Sequence, residues 1–222
     1  MIGRPDSHLI DGPCGHIEVV QEDPADGSTP VGLVVIAHPL PIMGGTMDNK
    51  VVHTLSRAFV LAGWRAVRFN FRGVGRSDGA WDHGQGEVDD MLAVLADAQT
   101  DPILRGKPLA LAGFSFGGFV AATVHKRLED AVPTGGQRPD QLVLVSPATS
   151  RYSVPAVPTH ALVVEGEEDD VVPLASILEW ARPQGLPVTV VPGTGHFFHG
   201  QLAMLRELVS RHLRAASVQR QR

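Results

Sequence analysis

The chain has 222 residues, 43% of them apolar, and a formal charge of −5; this fits a single α/β domain over 1–222 with a sizeable core. The mild acidity argues against a nucleic-acid partner, which needs a basic face, and the one cysteine, Cys14, excludes an intrachain disulfide. The opening MIGRPDSHLIDGPCG holds no apolar core of signal-peptide length, and no window approaches the ~20 apolar residues of a spanning helix, so a cytoplasmic protein with no membrane partner is expected.

In chain order, HLI (8–10) and HIEVVQ (16–21) read as early strands, the second of antiparallel type. PADGSTP (24–30) is a surface turn. VGLVVIA (31–37) is a continuous apolar run and predicts a buried strand ending in HPLP. Residues 48–62 place Val51, Val52, Leu55, Phe59 and Ala62 on one helical stripe, with Asp48 as N-cap and Gly63 as the stop. WRAVRFNF (64–71) is the next strand. The loop RGVGRSDGAWDHGQG leads to a helix near 87–99 carrying Val88, Met91, Leu92 and Leu95.

LALAG (109–113) predicts a strand that runs into FSFGG and then a helix with Phe119, Val120, Val124 and Leu128. PTGGQRPD (133–140) reads as a turn. QLVLVS (141–146), ALVVEG (161–166) and LPVTVV (186–191) are further strands. Helices are expected near 174–181 and 201–214, the last carrying Leu202, Leu205, Leu208, Val209 and Leu213. Strands that are apolar on both faces, alternating with amphipathic helices, imply a mostly parallel, twisted sheet of seven to eight strands with helices on both faces. In such sheets ligands bind outside the carboxyl ends of the strands, so the loops at those ends are where chemistry is expected.

Gly113-Phe114-Ser115-Phe116-Gly117 has the pattern G-x-S-x-G, after a strand and before a helix. A sharp turn there lifts the serine hydroxyl to the rim of the sheet. A serine is a weak nucleophile until a base takes its proton. His196, in GTGHFF after the last strand, is the candidate base, with His199 its close competitor. A carboxylate must then orient the imidazole. It is expected on the loop after 161–166, where Glu167, Glu168, Asp169 and Asp170 are all candidates. An oxyanion needs backbone donors: Phe116, following the serine, and Leu40, because Pro39 and Pro41 have no N–H. His196 with His199 and the nearby acids could suggest a metal, but no HExxH or CxxC spacing is present, and none is expected. RGVGRS (72–77) lacks the GK[ST] ending of a phosphate loop.

These motifs in order, HPLP with Gly44-Gly45, FNFRGVGRS, GFSFGG, GEEDDVVP and GTGHFF, resemble the α/β-hydrolase superfamily from about His16 to about His212. AHPLPIMGGTMDNKVVH followed by RFNFRGVGRSDG is similar to a small bacterial subgroup of predicted hydrolases, whose opening is close to HPHPxxGGTMxNKVV. Leu40 replaces the second histidine of that opening, which keeps the backbone donor and removes a side chain from the site. The family pattern GxxDxxVP aligns Gly166, Asp169 and Pro173, and so singles out Asp169. The resemblance implies ester, thioester or amide hydrolysis through an acyl-enzyme, on a small ester-like substrate and without a cofactor. Dienelactone hydrolases are more distant look-alikes with a cysteine nucleophile, where this chain has Ser115. A peptidase and a non-catalytic scaffold on the same fold are the alternatives.

The segment from Pro147 to His160 carries Pro147, Pro155 and Pro158, so neither a lid nor a regular crossover helix is expected there. An open, shallow site follows. Leu40, Ile42, Met43, Phe114 and Phe197, with Phe198, are candidates for an acyl pocket. They serve equally well as core or as a contact between copies of the chain, a homo-oligomer.

Overall fold

Runs that are apolar at every position become the inner strands, because only a strand covered on both faces tolerates them. The structure, a computed structural model, describes residues 6–134 and 137–220. A hairpin of β1 (His8–Gly12) and β2 (Gly15–Glu22) opens the chain. The strands β3 (Leu33–Ala37), β4 (Arg65–Phe69), β5 (Leu109–Phe114), β6 (Gln141–Val145), β7 (Leu162–Gly166) and β8 (Thr189–Val191) follow. They form one sheet in the order β1-β2-β4-β3-β5-β6-β7-β8. Only β1 and β2 run antiparallel to their neighbours; β4 through β8 are parallel.

Successive side chains of the inner strands point to opposite faces, and the core divides accordingly. Val34 and Ile36 of β3, with Ala110 and Ala112 of β5, pack beneath α1 (Lys50–Leu61) and α5 (Leu202–Arg220). Val35, Leu111, Leu142 and Leu144 pack on the other face beneath α2 (Gln85–Ala98), α3 (Phe116–Ala131) and α4 (Leu174–Ala181). Among the described residues no helix is long and apolar enough to cross a membrane.

The structure departs from the sequence reading at several element ends. The N-cap of α1 is Asn49, not Asp48; the Asn49 side chain accepts from the Val51 amide at 2.8 Å. Asx residues in tandem are equivalent by propensity, and only the local turn selects one. α2 begins at Gln85, two residues early, because the buried Glu87 carboxylate reaches back to the amides of Gly84 (2.7 Å) and Asp82 (2.9 Å) and caps the first turn. β8 is shorter than the apolar run that contains it, since Pro187 cannot donate to a ladder. α5 continues to Arg220, past the expected end, through residues with no helix breaker among them. Of the turn expected at 133–140, Gly135 and Gly136 lie outside the described residues.

Residues 147–160 contain no helix. They form an extended strap whose Val154 and Val157 are buried in the core. Trp180 Nε1 of α4 donates to the Val154 carbonyl at 3.0 Å, and the Val157 amide donates to Gln184 Oε1 at 2.9 Å. From Val154 onward the strap lies against α4, while its first residues stay at the carboxyl edge of the sheet, where the Ala148 amide donates to the Ser115 carbonyl.

The loop after β4 is held by a buried ion pair. Arg72 donates to both oxygens of Asp90, with contacts of 2.7 and 3.0 Å, and its own amide donates to Asp90 at 3.0 Å. Asp90 is fully buried on α2. Asp90→Ala would leave the half-buried Arg72 guanidinium with only the exposed Asp82 carboxylate, 3.8 Å away, so urea unfolding is expected to show a loss of about 2–3 kcal/mol.

Candidate active site

β5 ends one residue before Ser115, and α3 starts one residue after it. So abrupt a change of direction puts Ser115 at φ +56°, a region that side chains other than glycine rarely adopt. The surroundings fix it there: its amide donates to the Val145 carbonyl at 2.9 Å, and its carbonyl accepts from Gly118 and Ala148. Strain of this kind costs roughly 1–3 kcal/mol and persists only where neighbours over-determine it. Packing explains the flanking glycines. A Cβ on Gly113 would sit 2.0 Å from the Gly117 carbonyl oxygen, and one on Gly117 would sit 2.2 Å from that of Ala37.

The loops after β7 and β8 bring the two partners to this turn. His196 Nε2 lies 3.0 Å from Ser115 Oγ, and His196 Nδ1 lies 2.6 Å from Asp169 Oδ2. All three residues are buried, at 7%, 4% and 6% exposure in the order Ser115, His196, Asp169. The other Asp169 oxygen, Oδ1, accepts from the amides of Val171 (2.9 Å) and Val172 (2.7 Å). Burial alone would raise the Asp169 carboxyl, but the hydrogen bonds from His196 and Val172 outweigh it and hold the group below the usual carboxylate range. With Asp169 ionised and acceptor-only, His196 Nδ1 carries the proton and Nε2 is free to accept from the serine hydroxyl. A hydroxyl so placed can be deprotonated as it attacks a carbonyl carbon.

Of the other sequence candidates, Asp170 lines the cavity over Ser115 and is not joined to His196, and His199 is exposed on the loop beyond. Glu167 is also placed elsewhere, accepting from the Gly193 amide at 2.9 Å. Among the described residues no group of three His, Cys, Asp or Glu side chains is spaced to hold a metal ion.

The cavity has a volume of about 370 Å³, with Ser115 and His196 on its floor. Leu40, Met43 and Phe197 line it, as the sequence reading expects, together with Val171, Val172 and Tyr152. Two other candidates take different places. Phe114 is fully buried behind His196, its ring centroid 4.8 Å from the imidazole; the alternation of β5 turns it into the core beneath α1 and α5. Ile42 is 63% exposed and does not line the cavity. Phe198 is core as well. Phe197 stands edge-on to His196 at 5.1 Å and to Phe114 at 6.0 Å, so the three rings form one aromatic cluster.

Leu40 and Phe116 lie on the cavity wall beside Ser115. The Phe116 amide opens α3, where the helix dipole favours negative charge. The Leu40 loop has a fastening that the sequence reading missed. His38, fully buried, accepts the Phe71 amide on Nε2 at 3.1 Å, so its Nδ1 must carry the proton, which it donates to the Pro39 carbonyl at 2.6 Å. Burial pushes His38 down to about 4, so the ring stays neutral and keeps both bonds through the physiological range. A histidine closing an apolar strand was the available signal. Gly45 completes the fastening: a Cβ there would sit 2.1 Å from the Pro39 oxygen.

Comparison with known proteins agrees with this architecture. Residues 28–184 match the profile of the family described as "Serine aminopeptidase, S33". An α/β serine hydrolase homologue from Coxiella burnetii is 38% identical, with 96% of this chain and 99% of that one covered and a TM-score of 0.79. A lidless α/β serine hydrolase from Xanthomonas campestris is 34% identical over 95% of this chain and 94% of its own, with a TM-score of 0.84. A protein of Rickettsia prowazekii is 28% identical over 202 residues, which is 85% of this chain and 80% of that protein.

Proposed function

Because the chain belongs to the serine aminopeptidase S33 family of α/β-hydrolases, we propose that it is a serine hydrolase that cleaves a carboxylic ester or thioester through an acyl-enzyme on Ser115. The observation that carries this reading is the unbroken chain of contacts from Ser115 Oγ through His196 to Asp169, at 3.0 and 2.6 Å. In this reading Ser115 is the nucleophile, His196 the general base and then the general acid, and Asp169 the carboxylate that fixes the imidazole tautomer. The amides of Phe116 and Leu40 receive the oxyanion. The leaving group departs with the proton His196 took from the serine, and water repeats the sequence on the acyl-enzyme.

Leu40, Met43, Val171 and Phe197 give the cavity apolar walls suited to an acyl group. The cavity is small, with Ala148, Arg151 and Tyr152 of the strap on its wall, so short acyl chains fit better than long ones. With p-nitrophenyl esters, kcat/KM for acetyl or butyryl is expected to exceed that for palmitoyl by at least roughly tenfold. A steep preference for the long chain would overturn the acyl-site assignment. The decisive experiment on the reaction is labelling with a fluorophosphonate. An adduct on Ser115 supports the reading, and no adduct on folded protein at neutral pH defeats it in favour of a scaffold.

A second reading, an aminopeptidase or amidase with the same three residues, is favoured by Asp170. Its carboxylate lies on the cavity wall, where it could receive a substrate ammonium group. Turnover of aminoacyl p-nitroanilides above that of p-nitrophenyl acetate would select this reading.

A further inference from the structure

We propose that Glu165, the penultimate residue of β7, is a positioning residue: a neutral carboxylic acid whose Oε2–H donates to Asp169 and keeps that carboxylate aligned with His196. The kinetic part of this proposal rests on the function proposed above; the protonation of Glu165 does not.

Glu165 is fully buried. Its two oxygens are treated unequally. Oε1 accepts from Ser146 Oγ and from the Gly166 amide, each at 3.0 Å. Oε2 is equally buried and receives no hydrogen bond. An ionised oxygen without a donor is costly in such a place, and among the described residues no cation contacts either Glu165 oxygen. The charged group that acts on it most strongly is instead the neighbouring Asp169 carboxylate. Asp169 already accepts from Val171, Val172 and His196, so it has nothing to donate. Two ionised carboxylates in contact and out of water repel strongly. One proton on Glu165 Oε2 removes the repulsion, fills the orphaned position and gives Asp169 a further donor.

The groups that face Glu165 are few. Asp169 comes from the loop that follows β7, the neutral Ser146 hydroxyl comes from the end of β6, and His196 is reached only through Asp169. Ser146 is held at φ +42° with its amide on the Val164 carbonyl, and its hydroxyl donates to Glu165 Oε1, leaving Oε2 without a partner. Burial, with the Asp169 charge next, pushes Glu165 up to about 9. The acid form therefore prevails at neutral pH. A donor on Asp169 lowers that carboxylate's basicity. The proton on His196 Nδ1 then stays with the ring when Nε2 takes the serine proton. Above the Glu165 midpoint the same contact becomes repulsive.

The test has a spectroscopic arm and a kinetic arm. In protein labelled with 13C at the glutamate side-chain carboxyl, the resonance missing from Glu165→Gln is followed against pH by NMR. A midpoint near 9 is expected; one in the ordinary range of about 4 would overturn the proposal. In the kinetic arm, kcat/KM for p-nitrophenyl acetate is corrected for spontaneous hydrolysis and followed against pH. The wild-type protein should lose activity as Glu165 ionises. Glu165→Gln keeps a donor, so it should lack that alkaline fall and lose no more than about threefold at neutral pH. Glu165→Leu has no donor and should lose about 10- to 100-fold in kcat with little change in KM. Equal losses in the Gln and Leu variants, or an alkaline fall that survives in Glu165→Gln, would overturn the positioning role. If the wild-type protein hydrolyses no ester and takes no fluorophosphonate, the proposed function fails separately, and the NMR midpoint still decides the state of Glu165.

Discussion

Replacing Ser115 by alanine is expected to lower turnover of an ester substrate by about 10⁴- to 10⁶-fold. The loss is this large because, among the described residues, no other hydroxyl or thiol stands beside His196 in the cavity. The alternative attack, by water directly on the ester, has only binding and the oxyanion donors to assist it. His196→Ala should fall by a similar factor, and the double variant should fall little further, since the two residues act as one unit. Steady-state hydrolysis of p-nitrophenyl acetate measures all three. If the double variant lost the product of the single effects, the hydroxyl and imidazole would be acting independently, and their 3.0 Å contact would be incidental to the chemistry. Urea unfolding should show Ser115→Ala to be no less stable than the wild-type protein. Ser115 sits at φ +56° whichever side chain it bears, and its backbone hydrogen bonds are unaffected by loss of the hydroxyl.

Asp169→Asn is expected to cost about 10⁴-fold in kcat, by analogy with the serine-protease carboxylate. Asp169 Oδ2 accepts the Nδ1 proton of His196 at 2.6 Å. An asparagine can turn its NH₂ toward that nitrogen and stabilise the opposite tautomer. Nε2 would then carry a hydrogen and could not receive the one from Ser115. Asp170→Asn should cost far less, because Asp170 faces the cavity and leaves the imidazole alone. The ratio of the two losses, measured on one substrate, is the informative quantity. A greater loss in Asp170→Asn would move the orienting role to that residue. The Val171 and Val172 amides contribute to the difference between these neighbours. They are aimed at the Asp169 carboxylate and hold it ionised, as no spacing rule could specify.

Much of the fold was legible because its signals are local and redundant. The run LVVIA can only be a strand covered on both faces, and Phe59, Leu55, Val52 and Val51 repeat with the period of a helix. The turn at Ser115 was legible for a different reason: Gly113 and Gly117 are forced by backbones approaching within van der Waals distance, so a steric requirement is written directly into the chain. What stayed hidden depends on three-dimensional facing. Phe114 stands next to Ser115 in sequence, yet strand alternation sends its ring behind His196 into the core. Ile42 and Met43 are adjacent, similar in character and both largely exposed, and only the curl of the short 3₁₀ turn over 41–43 brings Met43 alone to the cavity edge. Glu165 was one acid among many in GEEDD and its approach. Its importance rests on an orphaned oxygen, a property of the assembled interior with no trace in the order of residues. His38 was passed over because its partners are the Phe71 amide, 33 positions away, and a carbonyl next door.

The strap over 147–160 has a kinetic consequence. Enzymes that close a flap over a bound reactant must spend time opening it again, and that opening often limits their cycle. Here the second half of the strap is stapled to Trp180 of α4 and to Gln184 in the turn that follows it. Entry of the reactant and release of the products are then expected without movement of this segment. Turnover is then expected to be limited by a step other than flap opening. In the reaction proposed above, bulk water would reach the acyl intermediate as freely as any other acceptor, which favours hydrolysis over transfer to a competing alcohol.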